Sequence, residues 1–274
     1  MNPVIHHIAS ASVTDCIRAI HYGDGFFETM LIDKDIAYWH LHCQRMALTS
    51  EILKINLPFS FHALYQSILI FARQHSSNSP LRFRLSFIRQ AHGNYAPLHP
   101  QQVYLLGHIS PFSANYSLPR SNGLRVGISS VSIPKHPLSS FKTLNALPYV
   151  LAADECKKNQ LDEILMRNTD GCVADASAHN VFLRFNQRFI TPPLDEACLN
   201  GVMRKQLMIY LLHNGFSVSE NIVTDEMLMQ ADEIILTNVL SGLQFVASLN
   251  DKIYEGKFTL SHAHKVRAFL SETI

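Results

Sequence analysis

Glu163-Ile164-Leu165-Met166-Arg167-Asn168-Thr169-Asp170-Gly171 reads as a short strand that runs into a turn. An apolar run of this length fits a buried strand, and Asn, Thr, Asp and Gly in succession are turn residues. Working forward, the turn leads into a further strand, and Phe182–Phe185 and Arg188–Ile190 bracket Asn186-Gln187 as a hairpin. A helix over 202–213 follows, with Gly215 placed as its C-terminal stop. Working backward, a helix is expected over 147–158. Before it, the strand Leu124–Ser129 and a loop with Pro134 and Pro137 deliver Lys142. Strands alternating with helices place this half in the α/β class.

The first part of the chain reads the same way. Residues 26–33 and 36–39 are apolar around the polar tip Asp33-Lys34-Asp35 and predict a hairpin. Phe61, Leu64, Tyr65, Ile68 and Ala72 recur at helical spacing. Strands are expected over Leu81–Ile88 and 102–108, on either side of the turn-rich His92-Gly93-Asn94-Tyr95-Ala96-Pro97. From Ser110 to Gly123 the period is lost among Pro111, Pro119 and Asn122. These readings give a smaller α/β domain over 1–112, a linker over 113–123 and a larger α/β domain over 124–274.

Composition narrows the function classes. The 274 residues are 47% hydrophobic, enough for a large core, and carry a formal charge of +1. So even a balance gives no electrostatic footprint for nucleic acid or a membrane surface, and an anionic ligand needs a local site. Met1-Asn2-Pro3-Val4-Ile5-His6-His7 has no basic start and no apolar core, which reads as cytoplasmic. Five cysteines without a C-x-x-C pair read as reduced thiols. The 15 histidines form no H-E-x-x-H or clustered ligand set, so no metal is expected. His40 and His42 could meet a metal only if they shared a strand face.

Several motifs follow one another in a fixed order. They are His21-Tyr22-Gly23-Asp24-Gly25-Phe26-Phe27-Glu28-Thr29, His42-Cys43-Gln44-Arg45-Met46, Lys142-Thr143-Leu144-Asn145 and Val173-Ala174-Asp175-Ala176-Ser177-Ala178-His179-Asn180-Val181-Phe182. Leu199-Asn200-Gly201-Val202-Met203-Arg204 and Ala231-Asp232-Glu233-Ile234-Ile235 come after them. In these segments the chain resembles the class IV aminotransferase superfamily over roughly residues 15 to 250. The resemblance implies a two-domain fold type IV enzyme like the D-amino-acid aminotransferases, a homodimer, with pyridoxal 5'-phosphate between the domains.

The same resemblance implies the roles of residues. Lys142 is the lysine that carries the cofactor as a Schiff base, and the chemistry requires its amine to be neutral, through desolvation or nearby positive charge. Asp175 stands where the superfamily has a glutamate beside the pyridine nitrogen, and it is shorter by one methylene, about 1.5 Å of reach. Arg45 is the cation for the phosphate. Val202 and Met203 would bind it through main-chain N–H groups at a helix start, with Thr237 and Asn238 as further cofactor residues.

Leu199-Asn200-Gly201-Val202-Met203-Arg204, Gly23-Asp24-Gly25-Phe26-Phe27 and Thr237-Asn238-Val239-Leu240 resemble the aminodeoxychorismate lyases. The branched-chain aminotransferases usually have tyrosine where this chain has Leu147. The implied reaction turns 4-amino-4-deoxychorismate into 4-aminobenzoate and pyruvate, a step of folate biosynthesis. A D-amino-acid or branched-chain type aminotransferase acting on another small-molecule amine stays open, as does a non-catalytic cofactor-binding relative. Alternation along Leu81–Phe87 puts Arg82, Arg84 and Ser86 on one strand face, so Arg82 and Arg84 are candidates for a substrate carboxylate. Arg89 is either a further such cation or a solvent-facing edge residue. Tyr22 and Tyr95 are candidates for shaping the pocket.

Overall fold

The computed structural model describes residues 2–76, 80–98, 102–113 and 118–269. It divides into two compact units, Met1–Ala114 with Phe141–Asn145, and Asn115–Ser140 with Ala146–Ile274. The expected linker 113–123 includes 114–117, which lie outside the described residues. The Lys142 segment, read from sequence as part of the second half, groups with the first unit.

In the first unit the order is β1 (Ile5–His7), α1 (Ile17–Tyr22), β2 (Gly25–Ile32), α2 (Trp39–Ile52), α3 (Phe61–His75), β3 (Leu81–Gln90) and β4 (Gln102–Pro111). The four strands form one sheet in the order β1-β4-β3-β2, antiparallel except for β1 on β4. Met30, Phe83, Leu85 and Phe87 of the sheet pack with Leu64, Ile68 and Phe71 of α3 and Met46 of α2. Burying each such side chain is worth about 1.5–3 kcal/mol. The expected second hairpin strand, 36–39, is absent. Only the single bridge Ile32 to Ile36 forms, because Tyr38 turns left-handed at φ 58 and the chain enters α2 at Trp39. His40 and His42 therefore lie on a helix, two positions apart and on different faces.

In the second unit β5 (Leu124–Ile128), α4 (Leu147–Lys158), β6 (Glu163–Arg167) and β7 (Val173–Ala176) come first, then β8 (Asn180–Phe185), β9 (Arg188–Thr191) and α5 (Val202–His213). β10 (Ser217–Glu220), α6 (Asp225–Gln230), β11 (Glu233–Asn238), β12 (Gly242–Leu249), β13 (Lys252–Ile253) and α7 (Lys257–Ala268) complete it. Among the described residues the strands run β10-β9-β8-β11-β12-β5-β6-β7, with β13 paired to β12. Both faces of β6 are covered: Leu165 joins the cluster with Val181, Ile234 and Val246, while Ile164 and Met166 pack with Ala152 and Cys156 of α4. The architecture is mixed α/β, as expected from the alternation of elements. No helix among the described residues is long and apolar enough to cross a membrane.

Candidate active site

Lys142 is fixed to the edge of β2 by backbone bonds. The Phe27 N–H donates to the Lys142 carbonyl at 2.9 Å, and the Leu144 N–H to the Gly25 carbonyl at 3.0 Å. Only glycine allows this approach at position 25. A Cβ there would lie 2.3 Å from the Phe87 carbonyl oxygen and 2.9 Å from Leu144 Cδ1. The Lys142 side chain then lies over the Phe27 ring, with Nζ 4.6 Å from the ring centroid. Arg84 reaches the same ring from β3, its guanidinium carbon 3.6 Å from the centroid.

The next residue, Glu28, points to the opposite face of β2 and is buried. It accepts from Arg45 Nε at 2.8 Å and Nη2 at 2.5 Å, and pairs with His42 Nδ1 at 2.7 Å. His42 and Arg45 are three apart on α2 and therefore share a helix face. Burial works to raise the Glu28 carboxyl, but Arg45 and then His42 overcome it and hold the group at about 2. Burial pushes the His42 imidazole down, against the opposing pull of Glu28, and Arg45 and Lys142 push the same way as burial. Its Nε2 is buried without a hydrogen-bond partner. So Arg45, read from sequence as a phosphate ligand, is forked on a carboxylate that sequence reasoning did not single out. A glutamate inside the otherwise apolar strand Gly25–Ile32 was the available signal.

The four substrate candidates all belong to this unit. Arg82 is exposed and Arg84 half-buried, as the alternation of β3 requires. Tyr22 and Tyr95 meet, with ring centroids 5.2 Å apart, although Tyr95 is 87% exposed. Arg18 holds that pair in place. It bonds Asp24 at 2.7 Å and the carbonyls of Gly93 and Asn94 at 3.1 and 2.8 Å, and lies over the Tyr22 ring. Arg89 is buried on Asp24 and on the carbonyls of Leu53 and Lys54, and β3 is an inner strand, so neither a solvent-facing edge nor an open cation describes it.

In the second unit Asp175 sits on β7, 2% exposed. Asn180 Nδ2 donates to its Oδ1 at 3.0 Å and the Leu199 N–H to its Oδ2 at 3.2 Å. Asn180 Nδ2 also reaches the Leu199 carbonyl at 2.8 Å, which ties β8 to the turn before α5. That turn has to be glycine at 201, where a Cβ would fall 1.8 Å from Asn180 Oδ1. Gly201 caps α5 without a side-chain bond, so the N–H groups of Val202 and Met203 at the helix start have no intrahelical acceptor. Thr237 pairs with Asn180 across β8 and β11, and its buried Oγ1 has no partner. An orphaned hydroxyl in this position costs about 1–3 kcal/mol unless a ligand or water completes it. Asn238 closes its own turn instead. Its Oδ1 accepts from the N–H groups of Leu240 and Ser241 at 2.9 and 2.7 Å, and its Nδ2 donates to the Ala178 carbonyl at 3.1 Å. The Tyr149 hydroxyl is likewise buried without a partner, and burial, then Asp175, pushes it well up.

A lysine fixed on a strand edge, a buried carboxylate held by amide donors, and a helix start beside an orphaned threonine hydroxyl are the parts a phosphorylated pyridine aldehyde requires. The family model described as amino-transferase class IV matches residues 25–249. The chain is 26% identical over 238 residues to aminodeoxychorismate lyase of Vibrio harveyi, covering 85% of this chain and 86% of that protein. The fold agrees with the branched-chain aminotransferase of Thermoproteus uzoniensis at a TM-score of 0.84 and 20% identity, covering 96% of this chain and 90% of that one. It agrees with 4-amino-4-deoxychorismate lyase of Pseudomonas aeruginosa at 0.81 and 24%, covering 92% and 93%. The expected fold type IV is thus observed, and the chain belongs to the class IV aminotransferase family, whose enzymes work with pyridoxal 5'-phosphate.

Proposed function

We propose that this protein is a lyase that converts 4-amino-4-deoxychorismate into 4-aminobenzoate and pyruvate, a step of folate biosynthesis, as a cytoplasmic homodimer. The observation that carries the proposal is the likeness to aminodeoxychorismate lyase of Vibrio harveyi over 85% of the chain. The residues of both units fit the cofactor. The orphaned Thr237 hydroxyl and the N–H groups of Val202 and Met203 suit a phosphate, with Arg45 as the cation of that site. Asn238 would contribute by fixing the turn that follows Thr237.

When bound, pyridoxal 5'-phosphate supplies an electron sink for charge that develops next to the substrate nitrogen. Asp175 supports that sink by holding a proton on the ring nitrogen, and its amide donors keep it ionised while buried. Lys142 anchors the cofactor through Nζ, and once the substrate amine displaces it the free amine takes the C4 proton. Pyruvate leaves and the ring becomes aromatic. Arg84, with Arg82 beyond it on the same face, is placed to receive a substrate carboxylate, and Tyr22 with Tyr95 forms the wall that Arg18 fixes.

An aminotransferase on the same residues is the second reading, favoured by the fold agreement with a branched-chain aminotransferase. The test gives purified protein aminodeoxychorismate in one arm and D- and L-amino acids with 2-oxoglutarate in the other. Release of 4-aminobenzoate together with pyruvate is expected. Amino transfer without that release would overturn the lyase proposal in favour of the second reading.

A further inference from the structure

Arg84 and Lys142 share one aromatic ring. The guanidinium carbon is 3.6 Å and the lysine Nζ 4.6 Å from the Phe27 centroid. Neither arrives by chance of rotamer alone. Backbone bonds from Phe27 and Leu144 fix the lysine segment on β2, and β2 pairs with β3 so that Phe27 faces Ser86 while Arg84 faces Thr29, two residues along. We propose that Arg84 keeps the Lys142 amine neutral, by repulsion between the two cations that Phe27 holds together.

A single ring offers one negative face to both cations, and the nearer guanidinium takes more of it. Arginine does not give up its proton, whereas an ammonium does, so relief of the crowding falls on the lysine. The separation stays well within the range over which half-buried charges act on each other. Other charged groups of the first unit must be weighed. Glu28 on β2 is the one anion among those described above that would pull the amine towards its charged form, but Arg45 forks on it at 2.8 and 2.5 Å and matches its charge. His42 on α2 is held towards its neutral form by burial. Arg82, on the same face of β3, adds positive charge. Burial and then Arg82 push the basicity of Arg84 itself down, as expected of a crowded positive cluster.

A neutral amine is what bond formation with an aldehyde needs, so the inference rests on Lys142 being the cofactor lysine. Its test does not. The full chain, freed of cofactor, is reductively methylated with 13C at low stoichiometry, and the Lys142 resonance, assigned from a K142R spectrum, is followed against pH. In R84M the midpoint should rise, the neutral fraction at pH 7 falling about tenfold, whereas R84K should stay close to wild type. If R84M folds poorly, R84Q carries the same comparison. An unchanged midpoint in the neutral variants would overturn the proposal. Borohydride reduction of the cofactor-loaded protein separately asks whether the pyridoxyl group maps to Lys142; a map to another lysine would remove the catalytic reading and leave the titration result standing.

Discussion

Glu28 in the first unit and Asp175 in the second are both buried carboxylates on strands, and they are held by opposite means. Glu28 is matched by charge, with Arg45 forked on it and His42 beside it. Asp175 accepts from the Asn180 amide and the Leu199 N–H, which are neutral donors. A cation cancels a carboxylate; an amide stabilises it and leaves its charge in place. The first arrangement is suited to holding a helix against a strand. The second is suited to holding a proton on a heterocycle, and the distinction separates a group that stabilises the fold from one that does chemistry.

The largest effect is expected at Asp175. Asp175→Asn keeps the size of the side chain and removes its charge, so turnover should fall on the order of 10²–10³-fold while cofactor absorbance and denaturation midpoint change little. Unchanged kinetics would place Asp175 with Glu28 as a structural group.

Glu28→Gln should behave in the opposite sense. It leaves Arg45 buried without its partner charge, at a cost of about 3–5 kcal/mol in urea denaturation. Its sign with pH is fixed. The folded Glu28 is held at about 2, below its ordinary value of 4.5, so its contribution is present above about pH 4.5 and is lost as pH falls towards 2. Stability measured from pH 6 to pH 2.5 should fall less steeply in the variant, and identical slopes would break the comparison.

The smallest effect belongs to Thr237. Thr237→Val removes an orphaned hydroxyl without changing shape, so stability should hold or rise slightly. Cofactor affinity should weaken by about tenfold, read by titrating cofactor into the cofactor-free protein. Equal affinity would show that the hydroxyl does not serve the phosphate.

Legibility in the sequence followed the strength of local signals. α4, β6, α5 and the hairpin of β8 and β9 were readable because period and turn residues agree there: Asn186 is left-handed at φ 54, and Gly215 at φ 77 lies just past α5. α2 was not. Its buried face carries His42, Arg45 and Thr49 among Leu41 and Met46, so no apolar stripe announces a helix, and the apolar 36–39 suggested a strand instead. The place of Lys142 was hidden for a different reason. Its segment joins β2 through backbone bonds, which leave no side-chain pattern. Asp175, Gly201 and Thr237 were legible only through their order in a family motif, because an isolated aspartate, glycine or threonine carries no chemistry of its own. Glu28, Phe27 and Tyr149 needed coordinates, since their significance lies in what they touch.

The most direct test of the account is to load the protein with pyridoxal 5'-phosphate, reduce it with borohydride, and map the modified peptide by mass spectrometry. The account predicts one pyridoxyl group per chain on Lys142, and none on that peptide in Lys142→Ala, which should also lose turnover. A pyridoxyl group on any other lysine, or full activity in Lys142→Ala, would contradict it.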